Sequence, residues 1–120
     1  MHVLYIDDEP SNRMLVRRIL MAEGFTVEEA DSASTGLEKA LAHPPDIILM
    51  DISMPGVDGL TATRQIRETP SLAHVPVIAL TALVMAGDRE MILAAGCDGY
   101  ISKPINIDSF VDEMMQYVRR

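Results

Sequence analysis

A chain of 120 residues, 48% of them hydrophobic, suffices for one domain with its own core and is too apolar for a disordered segment. The formal net charge of −8 disfavours nonspecific binding to nucleic acid or to an anionic membrane surface. No apolar run approaches membrane-spanning length, no signal peptide opens the chain, and Cys97 has no second cysteine to pair with, so the sequence reads as one cytoplasmic domain over residues 1–120.

Val3-Leu4-Tyr5-Ile6 is an apolar run read as a central strand, and it ends in three acids, Asp7, Asp8 and Glu9. Pro10 suits a first helical turn, where its missing N–H is not needed. Leu15, Ile19 and Ala22 recur at helical spacing, and Gly24 is placed to end that helix in a left-handed conformation. Thr26 to Ala30 is a short second strand. Ser32 or Ser34 caps a second helix with Leu37, Ala40 and Leu41 on its apolar stripe, and His43-Pro44-Pro45 stops it.

Ile47 to Met50 is a third unbroken apolar run, suited to a strand buried on both faces, and it stops at Asp51. Pro55 and Gly56 break the chain into a loop. Asp58 caps a third helix, Gly59 to about Arg67, with Leu60, Thr63 and Ile66 facing inward. Val77 to Leu80 is a fourth strand ending at Thr81, and Ala86 to Ala95 has helical composition ending at Gly96. Tyr100 to Ser102 is a fifth strand, followed by Lys103 and Pro104. Asn106 is placed to cap a last helix carrying Phe110, Met114, Tyr117 and Val118. Five strand–helix units at this spacing imply a parallel sheet with helices on both faces and right-handed crossovers.

All strands of a parallel sheet end on one edge, and ligands of such sheets bind there. Asp7 and Asp8, Asp51, Thr81 and Lys103 fall on that edge. Singly, each has an ordinary explanation: acids favoured by a helix N-terminus, a surface lysine, a strand-end hydroxyl. Together they describe more. Crowded carboxylates repel and call for a cation, and hard oxygen donors with open positions suit Mg²⁺ or Mn²⁺. An ammonium at Lys103 offsets acid charge and can hold a phosphoryl oxygen. The set describes a phosphoryl-transfer site. A carboxylate attacks phosphorus in line, the cation and the lysine neutralise the equatorial oxygens, and a hydroxyl hydrogen-bonds the product. There is no phosphate-cradling glycine-rich loop and no Ser-His-Asp or Cys-His set. His2, His43 and His74 have no ligand-like spacing and read as solvent-facing or loop residues, and the nine methionines read as core filler.

Asp7-Asp8-Glu9-Pro10, the stretch from Met50-Asp51 through Pro55-Gly56 to Asp58-Gly59, Thr81-Ala82 and Lys103-Pro104 resemble, in order and separation, the motifs of the receiver domains of two-component response regulators. The resemblance covers essentially the whole chain. The stretches Leu72 to Pro76 and Gly96 to Ile105 are similar to single-domain cell-cycle regulators and to receivers of hybrid kinases. The resemblance implies a flavodoxin-like, doubly wound (βα)5 fold with a five-stranded parallel sheet in the order 2-1-3-4-5. It implies Asp51 as phosphoacceptor, and Mg²⁺ held by Asp8, Asp51 and the backbone carbonyl of Ser53, with Asp7 acting through water. Thr81 and Lys103 contact the phosphoryl group, Thr81 and Tyr100 form a switch, Lys103-Pro104 is a cis peptide, and Ser53 and Leu83 modulate phosphate lifetime. The implied partners are a histidine kinase or histidine phosphotransfer protein, and a downstream target or second copy. These latter meet the face of the fourth helix, fifth strand and fifth helix, around Met85, Met91, Tyr100, Ile105 and Phe110.

Two other classes compete. An aspartyl-phosphate hydrolase with true turnover commonly has an acid two residues after its nucleophile, where this chain has Ser53. A flavin-binding module of similar topology wants a Ser/Thr-rich phosphate loop after the first strand, where this chain has three acids that repel a phosphate unless a metal intervenes.

Overall fold

The computed structural model describes residues 1–52, 59–82 and 86–118, with backbone alone at 86 and 87. Ser53, Pro55, Gly56, Asp58, Leu83 and Met85 lie outside the described residues. Among those described, strands and helices alternate: β1 (His2–Ile6), α1 (Pro10–Ala22), β2 (Thr26–Ala30), α2 (Ala33–Ala42), β3 (Ile47–Asp51), α3 (Gly59–Glu68), β4 (Val77–Thr81), α4 (Ala86–Ala94), β5 (Gly99–Ser102) and α5 (Phe110–Gln116). The five strands form one sheet in the order β2-β1-β3-β4-β5, with every pairing parallel. The parallel sheet is the one that the alternation predicts, and its order is the flavodoxin-like, doubly wound one that the family resemblance implies.

Side chains alternate across the strands, so each central strand feeds two cores. Leu4, Ile48, Met50, Val77 and Ala79 pack with Ala40 of α2, Ala62 and Ile66 of α3 and Ile92 of α4. Val3, Tyr5, Ile47, Leu49, Ile78 and Leu80 pack with Val16 and Leu20 of α1 and Phe110 and Met114 of α5. Every residue of β3 and β4 is buried, so their ends are held by packing on both sides. Truncating one such residue, Leu49 to Ala for example, costs about 2–5 kcal/mol.

The helices depart from the sequence reading in instructive ways. In α1 the buried face is Val16, Ile19 and Leu20, whereas Leu15 is half-buried and Ala22 exposed. At 3.6 residues per turn, Leu15 and Ala22 sit about a quarter-turn away from that face. In α2 the buried stripe is Ala33, Gly36 and Ala40, and Leu41 is 50% exposed. Small residues win there because the helix lies close on the sheet: a Cβ at Gly36 would stand 2.4 Å from Ile6 Cδ1. Ser32 is the α2 cap, its hydroxyl accepting from Thr35 N–H at 3.2 Å. Gly24 closes α1 with φ +89°, as its position predicts. Asn106 does not cap α5. Its side chain accepts from Asp108 N–H in a preceding turn, and Ser109 occupies the cap position. Phe110 is fully buried, so it belongs to the core rather than to the proposed partner face. His43 is exposed in the loop after α2, as the sequence predicts, whereas His2 is half-buried on β1, and their rings stack with centroids 4.6 Å apart.

Candidate functional site

Strand register assembles the site. Ile6 is level with Met50, Asp51 with Leu80, and Thr81 with Ser102. Asp7, one residue past β1, therefore stands beside Asp51, and Lys103, one past β5, beside Thr81. Lys103 N–H donates to the Thr81 carbonyl at 2.8 Å. Alternation carries Asp7, Asp51 and Lys103 onto the side that packs against α1 and α5, continuing the rows Val3-Tyr5, Ile47-Leu49 and Ile101. Thr81 continues the row Val77-Ala79 on the opposite side and is fully buried.

Side-chain oxygens of Asp7, Asp8 and Asp51 lie within 4.8 Å of one another. Asp7 is fully buried, Asp51 is 3% exposed and Asp8 faces solvent. Lys103 Nζ stands 3.2 Å from Asp51 Oδ1 and 4.0 Å from Asp7 Oδ2. Both Asp7 oxygens have protein donors: Glu9 N–H to Oδ1 at 2.9 Å and the Tyr5 phenol to Oδ2 at 2.5 Å. Arg13 Nη1 donates to the Asp7 carbonyl at 2.7 Å, tying α1 to the loop. Gly59 opens α3 against the end of β3, where any Cβ would come within 2.7 Å of the Asp51 carbonyl oxygen. That contact is with backbone, so only glycine allows the approach.

One lysine cannot neutralise three carboxylates, so the site has an excess of negative charge from hard oxygen donors, which suits a divalent cation such as Mg²⁺. Burial, followed by the Asp7 hydrogen bond and the charges of Asp7 and Asp51, pushes the Tyr5 phenol well above its ordinary range, so it remains a donor. Beside the acids, a cleft of about 360 Å³ is lined by Asn12, Leu15, Ala82, Lys103, Pro104 and Ile105. The Lys103-Pro104 peptide is cis. Tyr100 is half-buried on β5, with the Arg89 guanidinium 5.7 Å from its ring centroid.

The structure thus gathers Asp7, Asp8, Asp51 and Lys103, and sets Thr81 and Tyr100 on the adjoining strands. The sequence reading missed Tyr5, taking it only as part of an apolar strand. Its signal was its place two residues before Asp7, on the same side of the strand.

Fold and site together define a flavodoxin-like α/β protein with an acidic pocket at the carboxyl edge of its sheet. The chain belongs to the response regulator receiver domain family of two-component signalling, whose profile matches residues 3–115. It is 40% identical over 116 residues to the polar-differentiation response regulator DivK of Brucella ovis, covering 97% of this chain and 94% of that protein. The chemotaxis protein CheY4 of Vibrio cholerae superposes with a TM-score of 0.93 at 27% identity, over 97% of each chain. The receiver domain of a sensor histidine kinase from Pseudomonas aeruginosa PAO1 superposes with a TM-score of 0.90 at 32% identity, over 99% of this chain and 98% of that one. It has a magnesium ion coordinated in its active-site cleft. Such proteins are signalling domains rather than turnover enzymes. No described helix is long and apolar enough to cross a membrane.

Proposed function

We propose that residues 1–120 form a cytoplasmic receiver domain in which Asp51 accepts a phosphoryl group from a histidine kinase or histidine phosphotransfer protein. The supporting observation is the 3.2 Å contact of Lys103 Nζ with Asp51 Oδ1 at the end of a buried strand, with Asp7 and Asp8 beside it. An Asp51 oxygen forms the new O–P bond as the P–N bond of a donor phosphohistidine breaks, and the histidine nitrogen keeps the electron pair. Lys103 donates to a phosphoryl oxygen, and the Thr81 hydroxyl donates to another once it has turned toward the group. Asp8, Asp51 and the Ser53 carbonyl hold Mg²⁺, with Mn²⁺ an acceptable substitute. Asp7 acts through water, in keeping with protein donors already on both its oxygens. Mg²⁺ held there would supply positive charge to the transferring phosphoryl oxygens.

Ser53 and Leu83 modulate the lifetime of the phosphoryl group, an apolar Leu83 prolonging it by hindering an attacking water or failing to orient it. Thr81 and Tyr100 pass the change to the face of α4, β5 and α5, where a downstream protein or a second copy binds. Nucleic acid and membrane are not direct partners, in keeping with the net charge of −8. The test is incubation with acetyl phosphate and Mg²⁺. The expected result is about one acid-stable, base-labile label per chain, absent in Asp51→Asn. Many turnovers without retained label would instead make the chain a hydrolase, and labelling that survives Asp51→Asn would remove Asp51 from the role.

A further inference from the structure

At the opposite edge of the sheet, His2 opens β1, Glu28 lies on β2, and His43 follows α2. Strands of five residues rising about 3.3 Å each put this edge about 15 Å from the acidic site. His2 pairs in register with Thr26, so His2, Thr26 and Glu28 share the side of the sheet that α2 covers. One donor atom from each of His2, Glu28 and His43 lies within 4.8 Å of the others.

Two of those donors are orphans. His2 Nε2 and Glu28 Oε1 are buried side-chain atoms with no hydrogen-bond partner among the described residues. They face each other at 3.6 Å, too far for a hydrogen bond but within ion-pair reach when the imidazole carries a second proton. The other His2 nitrogen has a partner of its own. Nδ1 lies 3.0 Å from Thr26 Oγ1, and that hydroxyl directs its own proton at the Met1 carbonyl, 3.5 Å away. With the ring proton on Nδ1, shared with Thr26 Oγ1, Nε2 turns a lone pair toward a carboxylate oxygen of Glu28. Two lone pairs meeting at one point are relieved by a positive charge between them, a proton or a metal ion. A histidine whose second nitrogen is held by a neighbouring acceptor is the usual arrangement of a metal-ligating imidazole. The His2 backbone is pinned on both sides, its N–H donating to Asp46 Oδ2 and its carbonyl accepting from Asp46 N–H, each at 2.8 Å.

We propose that His2, Glu28 and His43 form a second metal site, selective for a borderline transition-metal dication of the Zn²⁺ class and separate from the Mg²⁺ site. Two imidazoles and one carboxylate are a donor set that Zn²⁺ accepts and Mg²⁺ does not favour. Donors about 2.0–2.1 Å from one tetrahedral ion stand about 3.3–3.4 Å apart, close to the 3.6 Å between His2 Nε2 and Glu28 Oε1. His43 is exposed and stacked on His2, so rotation of its side chain closes the third contact. The fourth position opens to solvent. The site joins β1, β2 and the end of α2, so metal binding stabilises the folded chain by mass action.

The experiment titrates the full chain with Zn²⁺ under saturating Mg²⁺, following the histidine ring resonances and the melting temperature. One equivalent should shift the His2 and His43 resonances, leave His74 unmoved, and raise the melting temperature. Glu28→Gln and His43→Ala should each weaken Zn²⁺ binding about tenfold or more while keeping the metal-free melting temperature. The proposal is overturned if His2 and His43 respond no more than His74. It is equally overturned if binding survives both substitutions and is lost only in Asp8→Asn, which would locate the ion at the acidic site.

Discussion

The Tyr5 phenol donates to Asp7 Oδ2 across 2.5 Å, from inside the core that α1 and α5 cover. A core residue of β1 thereby reaches the acidic site from below and fixes the one fully buried carboxylate in it. Tyr5→Phe keeps the ring and removes the donor. It should cost about 1.5–3 kcal/mol, the worth of a hydrogen bond to a charged group. A nearby divalent cation would compensate the charge left on Asp7 Oδ2, so the cost should shrink under saturating Mg²⁺. Urea denaturation with and without Mg²⁺ measures both. An equal cost in the two conditions would disconnect Tyr5 from the cation site.

Two buried acids shape the alkaline limb of stability. Burial pushes the Cys97 thiol up, as burial and Asp7 do the Tyr5 phenol. In each case the folded pKa exceeds the unfolded one, so the folded chain holds a proton that the unfolded chain releases. Their contribution is full below the unfolded values, about 8.5 for the thiol and about 10 for the phenol, and is lost as pH rises past them. Stability should decline from about pH 9 and more steeply above about pH 10. Tyr5→Phe should flatten the upper part only. A stability curve that stays level to pH 11 or beyond would contradict the burial of both groups.

Asp8 faces solvent, and the two acids grouped with it, Asp7 and Asp51, are buried. Asp8→Ala should abolish Mg²⁺ binding and phosphorylation while leaving the melting temperature unchanged or slightly raised, since it removes a like charge. Calorimetric titration with Mg²⁺ and labelling by acetyl phosphate are the checks. Normal labelling at ordinary Mg²⁺ would take Asp8 out of the site.

Arg67 near the end of α3 fixes the far side of the sheet. Its guanidinium donates to the carbonyls of Gly96, Ala73 and Val75 and to Asp98 Oδ2 at 2.6 Å, and Asp98 also accepts from Val77 N–H. Arg67→Met should cost about 3 kcal/mol, because Asp98 and three carbonyls lose a shared donor. Arg67→Lys should recover little of it, since a single ammonium cannot span that fork of acceptors. Thermal or urea unfolding decides the matter, and a loss under about 0.5 kcal/mol would place Arg67 with ordinary surface residues.

The strands were legible because β3 and β4 are buried throughout and read as unbroken apolar runs, and their polar ends named the site edge. Helix faces were less legible. The pattern favours large residues, whereas α2 packs through Ala33, Gly36 and Ala40 and leaves Leu41 outside. Single-residue periodicity also cannot separate Leu15 from Val16 without knowing the direction in which α1 meets the sheet. Tyr5 and Arg67 were invisible for another reason. Their roles depend on partners that only the fold brings near, as does the meeting of His2 with His43 across forty residues of chain.

Thr81 and Tyr100 provide the last prediction. Thr81 is buried on β4 and Tyr100 half-buried on β5, in register with Ala79 of the same row. A phosphoryl group on Asp51 adds strong acceptor oxygens that draw the Thr81 hydroxyl toward them. Under the proposed function, the space Thr81 leaves would admit the Tyr100 ring, and the two would move as one two-state element. Arg89 of α4 should oppose that motion, since its guanidinium sits over the ring at 5.7 Å. Such a contact is worth about 0.5–1 kcal/mol at a partly exposed site. Arg89→Ala should therefore shift the unphosphorylated chain about two- to fivefold toward the inward ring. Tyrosine ring resonances read the populations, and amide exchange with beryllofluoride reads the surface. Beryllofluoride should alter exchange in α4, β5 and α5, with half-exposed Met91 and Tyr100 at the centre, and Thr81→Ala should remove the change. Changes confined to α1 and α2, with Thr81→Ala responding like the parent chain, would refute the coupling.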